Sequence, residues 1–251
     1  MAHKTLISGT AYSVTGGREL IGGTGYDCKA GKTLIGGTAF TVPFSKGIPL
    51  NTITPGAILY LNESGSPVPF YIAKHDYESG LNGAGRTLIV RKDCYDTRAF
   101  SSNNNAFSGS SMDTWLNNTW LKLLDADIQA AVSTTKFYCI AGGGSSTKQT
   151  LDRAAFLLSA TELGKSSYND GTALPSAVCS QLAIAYRNGS AVSQWTRTAG
   201  KGSTINVFYL GTNGNLYGGD YTFSYGSRPA FTLPGSLGLA QNSDGTYTLA
   251  A

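Results

Sequence analysis

At 251 residues the chain has room for one large domain, or one ordinary domain with a small module. Charged residues make up 14% and hydrophobic residues 41%, which excludes a disordered chain. The net charge of +4 is spread over singles such as Lys4, Arg18, Lys32, Arg86 and Arg98, without the clustering of a nucleic-acid footprint. No run approaches the roughly 18 apolar residues of a membrane span. The opening Met1-Ala2-His3-Lys4-Thr5 lacks the apolar run of a signal peptide, so the sequence reads as made in a cytosol.

The first segment is a repeat. Lys4-Thr5-Leu6-Ile7-Ser8-Gly9-Thr10-Ala11-Tyr12 is matched by Arg18-Glu19-Leu20-Ile21-Gly22-Gly23-Thr24-Gly25-Tyr26, then by Lys32-Thr33-Leu34-Ile35-Gly36-Gly37-Thr38-Ala39-Phe40, at a period of 14 residues. The small-Gly pair suits a tight turn or bulge, so each copy reads as two short strands, together a small meander or solenoid. Such a module has few large side chains and cannot offset its ordering entropy alone. Leu6, Ile7, Tyr12, Leu20, Ile21, Tyr26, Leu34, Ile35 and Phe40 are therefore expected to pack against identical chains or another protein, with a homotrimer as the first expectation. A flexible Gly-rich leader is the alternative. Pro43-Phe44-Ser45-Lys46-Gly47-Ile48-Pro49 breaks the period, which places an assembly module at 1–44 and the body at 45–251.

In the body, Ala57-Ile58-Leu59-Tyr60-Leu61-Asn62 and Val68-Pro69-Phe70-Tyr71-Ile72-Ala73 read as strands about a Glu63-Ser64-Gly65-Ser66 turn, and Thr87-Leu88-Ile89-Val90-Arg91 as another. Met112, Trp115, Leu116, Trp120, Leu123 and Leu124 fall near one helical face. Asp125 is placed to cap a second short helix, and Ser159-Ala160-Thr161-Glu162 has capping-box spacing. Ala155-Phe156-Leu157-Leu158 reads as a buried strand. Further strands follow at Trp195-Thr196-Arg197-Thr198, Ile205-Asn206-Val207-Phe208-Tyr209-Leu210 and Arg228-Pro229-Ala230-Phe231. The mixture reads as an α+β domain.

Trp115-Leu116-Asn117, Phe156-Leu157-Leu158-Ser159 with Glu162, Trp195-Thr196-Arg197-Thr198 and Tyr225-Gly226-Ser227-Arg228-Pro229-Ala230-Phe231 together carry a resemblance. In that order they resemble a C-type-lectin-like domain family of prophages of Gram-positive bacteria. The domain is more distantly similar to the fold of formylglycine-generating enzymes and of phage tropism determinants. The resemblance covers nearly the whole chain, with Thr196, Thr198 and Ser227 as departures from the family pattern. It implies a twisted antiparallel sheet, two helices and a long irregular segment presenting a binding surface. The fold class expected is thus α+β, a C-type-lectin-like domain with a short N-terminal β-repeat module.

Little in the sequence points to chemistry. His75 is the one histidine placed to serve a triad, and no nucleophile elbow accompanies it. Gly142-Gly143-Gly144-Ser145-Ser146-Thr147-Lys148 lacks a Gly before Lys148 and has Gln149 where a phosphate loop needs Ser or Thr. The cysteine pair of the formylglycine-generating relatives and the calcium-binding tripeptides of sugar-binding lectins are missing. With two histidines and no ligand spacing among Cys28, Cys94, Cys139 and Cys179, neither metal nor cofactor is expected.

The segment Gly211 to Ser227 combines Tyr, Asn, Gly and Ser with little charge, the chemistry of adaptable contact surfaces. Asn213, Asn215, Tyr217, Asp220, Tyr221 and Tyr225 are the candidate ligand-binding residues, the three tyrosines being spaced by four. The competing view is a hairpin whose tyrosines cover the core. Trp195, Arg197 and Arg228 read as scaffold. The expectation is a non-enzymatic phage virion protein, made in host cytoplasm. Residues 1–44 would bind other virion proteins, and the body a host-surface glycan or protein, without nucleic acid or membrane as partner. A purely structural decoration or fibre protein and a cell-wall-degrading enzyme are the alternatives.

Overall fold

The computed structural model describes residues 47–166 and 168–250, and for residues 3–7, 10–14, 18–21, 24–27, 32–35 and 38–41 the strand pairing of the backbone. Two compact units emerge: Met1–Gly47 with Ala250–Ala251, and Ile48–Leu249.

In the first unit β1 (His3–Ile7) pairs with β2 (Thr10–Val14), β3 (Arg18–Ile21) with β4 (Thr24–Asp27), and β5 (Lys32–Ile35) with β6 (Thr38–Thr41). Every copy uses the same antiparallel register: Leu6 faces Ala11, Leu20 faces Gly25 and Leu34 faces Ala39. The period in the sequence is thus a period of hairpins. The hairpins form three separate sheets, so among the described residues they do not join into the expected meander. The side chains of Leu6, Ile7, Tyr12, Leu20, Ile21, Tyr26, Leu34, Ile35 and Phe40 lie outside the described residues.

The second unit follows in chain order. It begins with β7 (Ile48–Pro49), β8 (Ile58–Glu63), β9 (Ser66–Lys74), α1 (Ser79–Asn82), β10 (Arg86–Arg91), β11 (Asp96–Ala99), α2 (Ser111–Asn118) and α3 (Ala126–Ala131). Next come β12 (Thr135–Ile140), β13 (Lys148–Arg153), β14 (Ala155–Phe156), α4 (Ser176–Leu182), β15 (Ala185–Arg187), β16 (Ser190–Val192) and β17 (Gln194–Ala199). It closes with β18 (Asn206–Leu210), β19 (Leu216–Asp220), β20 (Ser224–Ser227), β21 (Ala230–Pro234), β22 (Gly238–Gln241) and β23 (Tyr247–Leu249). An eight-stranded sheet has the order β14-β21-β10-β9-β8-β23-β22-β7, and a five-stranded sheet the order β11-β20-β17-β18-β19.

This architecture corrects the expected α+β, C-type-lectin-like fold. With 39% strand and 16% helix the chain is β-rich, built from several sheets, and among the described residues no clear lectin fold is present. The helical face around Trp115 supports only an eight-residue helix, which passes into a 3₁₀ turn at Trp120–Leu123. Asp125 stands at the start of α3 without capping it: its carboxylate accepts instead from Asn62 Nδ2 at 2.7 Å.

Local chemistry explains the strand pairing. Ser64 and Gly65 both take positive φ, 55° and 76°, and join β8 to β9 in a two-residue turn with Glu63 opposite Ser66. One core runs through the unit. Phe70 packs edge-on to Phe231, Trp120 tilts on Phe231, and Phe137 lies 4.6 Å from Phe156. Phe100 links that core to Trp195 of the five-stranded sheet at 5.7 Å.

Candidate aromatic binding face

The five-stranded sheet carries aromatic residues in register on one face. Across β17, β18 and β19, Trp195 is opposite Tyr209, and Tyr209 opposite Tyr217. On the other side of β17, Tyr225 of β20 is opposite Arg98 of β11. Side chains opposite one another in antiparallel strands share a face, which gathers Trp195, Tyr209 and Tyr217 and sets Tyr225 beside Arg98; the parallel bridge of Gln194 with Gly226 joins the two groups. Trp195 forms the buried floor, its indole N–H donating to the Arg98 carbonyl at 3.0 Å. Above it Tyr225 lies 4.7 Å from Trp195 and 4.2 Å from Tyr209. Tyr209 continues to Tyr217 at 5.6 Å, and Phe223 meets Tyr225 edge-on at 6.1 Å.

Solvent reaches the outer rings: Tyr217 is 42% and Phe223 52% exposed. Glycine shapes the surface beneath them. A Cβ on Gly219 would stand 2.9 Å from Tyr209 Cε1 and 3.2 Å from Tyr225 Cε2, and one on Gly211 would stand 2.8 Å from Tyr217 Cε2. The rings therefore lie against bare backbone, which fixes their position before any ligand arrives.

The edges of the face are polar. Asn213 Nδ2 donates to the Tyr217 hydroxyl at 2.9 Å, while its Oδ1 accepts from the Asn215 N–H at 3.1 Å. At the opposite edge the Arg98 guanidinium stacks 3.4 Å over the Trp115 ring and pairs with Asp96. Burial, with the Tyr209 hydroxyl beside it, pushes the Tyr225 phenol up to about 12, so it is neutral at physiological pH.

Of the six expected ligand-binding residues, the structure brings Asn213, Tyr217 and Tyr225 to this face and leaves Asn215 exposed beside it. Asp220 and Tyr221 are elsewhere. The backbone N–H and hydroxyl of Thr222 both donate to Asp220, holding its carboxyl below the usual range and closing the turn after β19. Tyr221 packs against the core, and its carbonyl accepts from the Phe100 and Ser101 N–H groups. A spacing of four keeps like faces together only while the backbone stays extended, and the turn between β19 and β20 interrupts it. Sequence reasoning missed Tyr209, Phe223, Arg98, Trp115 and Gly219. Alternation along β18 puts Val207 and Tyr209 on one face and was a usable signal; the pairing of Arg98 with Tyr225 was not.

Other residues singled out in the sequence support the frame. Both ring nitrogens of His75 are engaged, Nε2 with the Ile53 carbonyl at 2.6 Å and Nδ1 with the Thr87 hydroxyl at 3.0 Å. The Nε2 contact requires an N–H there, because a carbonyl oxygen only accepts. Arg228 donates to the carbonyls of Arg91, Lys92 and Leu182, and burial lowers its pKa. The Gly142–Gly144 backbone is held by Asn105, whose Oδ1 accepts from Gly143 N–H and whose Nδ2 donates to the Ser203 and Asn206 carbonyls. Among the described residues no three or more His, Cys, Asp or Glu side chains gather as a metal site, and no helix is long and apolar enough to cross a membrane.

In comparison with known families, the model of a domain of unknown function, DUF6273, matches residues 84–235. That span contains both the floor and the rings of the aromatic face. No curated protein and no solved structure matches the chain.

Proposed function

We propose, for a chain that belongs to the DUF6273 family, a role as a virion protein of a bacterial virus whose body binds a receptor on the host-cell surface. It is a binding protein and not an enzyme. The observation that carries this reading is the solvent-open ring cluster of Phe223, Tyr225, Tyr209 and Tyr217 on a buried tryptophan floor. Tyrosine offers a large contact area at low entropic cost, and rings already seated on glycine lose little further freedom on binding. The resemblance of the Trp115, Phe156, Trp195 and Arg228 motifs to those of prophage proteins supports the setting in a phage particle.

The test is labelling of bacterial cells by fluorescent protein. Tyr217→Ala combined with Phe223→Ala is expected to weaken labelling at least tenfold. Both rings are about half exposed, so the double variant should lose only about 1–2 kcal/mol of stability and stay folded at the labelling temperature. Undiminished labelling by this variant sinks the reading.

The hairpins supply the second half of the proposal. A two-stranded hairpin is marginal in water by itself. Three in identical register make a repeated surface suited to other virion proteins and to further copies of this chain. The full chain is expected to sediment as a homo-oligomer, a trimer by first expectation, and a chain lacking residues 1–44 as a monomer. Monomeric full-length chain would remove this half of the proposal.

A further inference from the structure

The chemistry of the aromatic face narrows what it can hold. Resting on the receptor-binding reading above, we infer that the ligand is a neutral oligosaccharide. Its C–H faces pack on Phe223, Tyr225, Tyr209 and Tyr217, and its hydroxyls bond to Asn213 and the phenols.

Size is the first argument. A fully buried aromatic side chain covers roughly 150–250 Å². With Tyr217 42% and Phe223 52% exposed, and Tyr209 and Tyr225 partly buried, the open ring surface is on the order of 300 Å². A specific protein partner needs about 800 Å² on each side. The platform is thus small for a protein and ample for a few sugar rings.

Charge is the second argument. The Arg98 guanidinium at one edge is matched by Asp96, and the Asp220 carboxylate is bound by Thr222. What faces the ligand is aromatic carbon, phenol and amide. The Tyr217 hydroxyl already accepts from Asn213, so its own hydrogen is left to donate outward. Asn213 keeps a second N–H and a carbonyl lone pair. Donors and acceptors without net charge, beside ring faces, match a sugar's hydroxyls and C–H faces and supply no unpaired positive charge to a phosphate or a carboxylate.

The experiment uses the full chain on intact bacterial cells, on protease-stripped cells and on cells whose surface glycans are oxidised with periodate. The labelling is expected to survive protease, to fall at least tenfold after periodate, and to stay flat between about 0.05 and 0.5 M salt, because screening acts on charged pairs. Tyr217→Phe keeps the ring and should weaken binding a few-fold, whereas Tyr217→Ala should weaken it tenfold or more. Loss to protease with survival of periodate makes the receptor a protein, overturning the glycan while the receptor reading stands. A tenfold fall with salt makes the ligand charged and overturns its neutrality. Failure to label any untreated cells removes the receptor reading and the glycan with it.

Discussion

Replacing Arg197 by Met is expected to destabilise the Ile48–Leu249 unit by about 3–5 kcal/mol, the cost of leaving a buried charge without its partner. Arg197 and Glu162 are both fully buried, and their side chains meet through two hydrogen bonds, at 2.6 and 2.7 Å. The three remaining bonds of the guanidinium go to the carbonyls of Tyr138, Leu157 and Asp170, so all five of its N–H donors are used. Burial works against the Arg197 charge, yet the Glu162 carboxylate outweighs it, and the guanidinium holds its proton more firmly than a free arginine. Glu162 also accepts from the Tyr77 hydroxyl at 2.5 Å, and burial followed by that carboxylate pushes the Tyr77 phenol well up.

Lysine should not rescue the position, because a single ammonium cannot replace a planar fork of five donors. Adding Glu162→Leu to Arg197→Met should restore only part of the loss, since the carbonyls of Tyr138, Leu157 and Asp170 stay unpaired. Chemical denaturation of each variant measures this directly. An Arg197→Lys protein within 1 kcal/mol of the parent, as an order-of-magnitude threshold, would refute the claim that the fork geometry matters. Arg197 stands in β17 two residues beyond Trp195, so the same network anchors the floor of the aromatic face.

Trp120→Ala is the second large effect, a loss of about 3–5 kcal/mol, as for other large buried aromatics. Its ring is fully buried against Phe231, at 6.0 Å between centroids, and its indole N–H donates to Glu63 Oε2 at 3.0 Å. Glu63 is nearly buried and is otherwise held by Arg91 through bonds of 3.0 and 3.1 Å. Trp120→Phe keeps most of the volume and forfeits the hydrogen bond. It should cost about 1–3 kcal/mol, the penalty for removing one partner of a buried polar group. Thermal melts of the two variants separate packing from hydrogen bonding. Equal losses in both would show that the contact with Glu63 dominates.

The sequence was most legible where a signal is local. The capping-box spacing of Ser159 and Glu162 appears as reciprocal bonds: Glu162 N–H to Ser159 Oγ at 3.0 Å, and Ser159 N–H to Glu162 Oε2 at 2.8 Å. The turn at Ser64-Gly65, the buried Ala155 to Leu158 segment and the scaffold role of Arg228 were likewise readable. Legibility failed where distant segments meet. The second role of Glu162, as partner to Arg197, needs 35 residues of chain to fold back and leaves no local trace. Fold class was misjudged because Met112, Trp115, Leu116 and Trp120 have helical spacing, although the helix ends at Asn118. Strands as short as the two residues of β7 leave no periodicity to count. Half of the aromatic face was likewise set by cross-strand register: Tyr209 and Arg98 join it only through their partners on β17, β19 and β20.

The eight-stranded sheet is thinly paired toward β7, which meets β22 at two positions. β23 touches β8 through a single parallel bridge, Tyr247 with Leu59, whereas β8 and β9 pair along six positions. Only β22 separates β23 from β7, where the chain enters this unit at Ile48. Tension applied at Ile48 therefore loads the short pairing of β7 with β22 first. β7 can be stripped while β8, β9, β10 and β21 stay paired, so a pull at this entry point is spent on two residues before it reaches the body of the sheet.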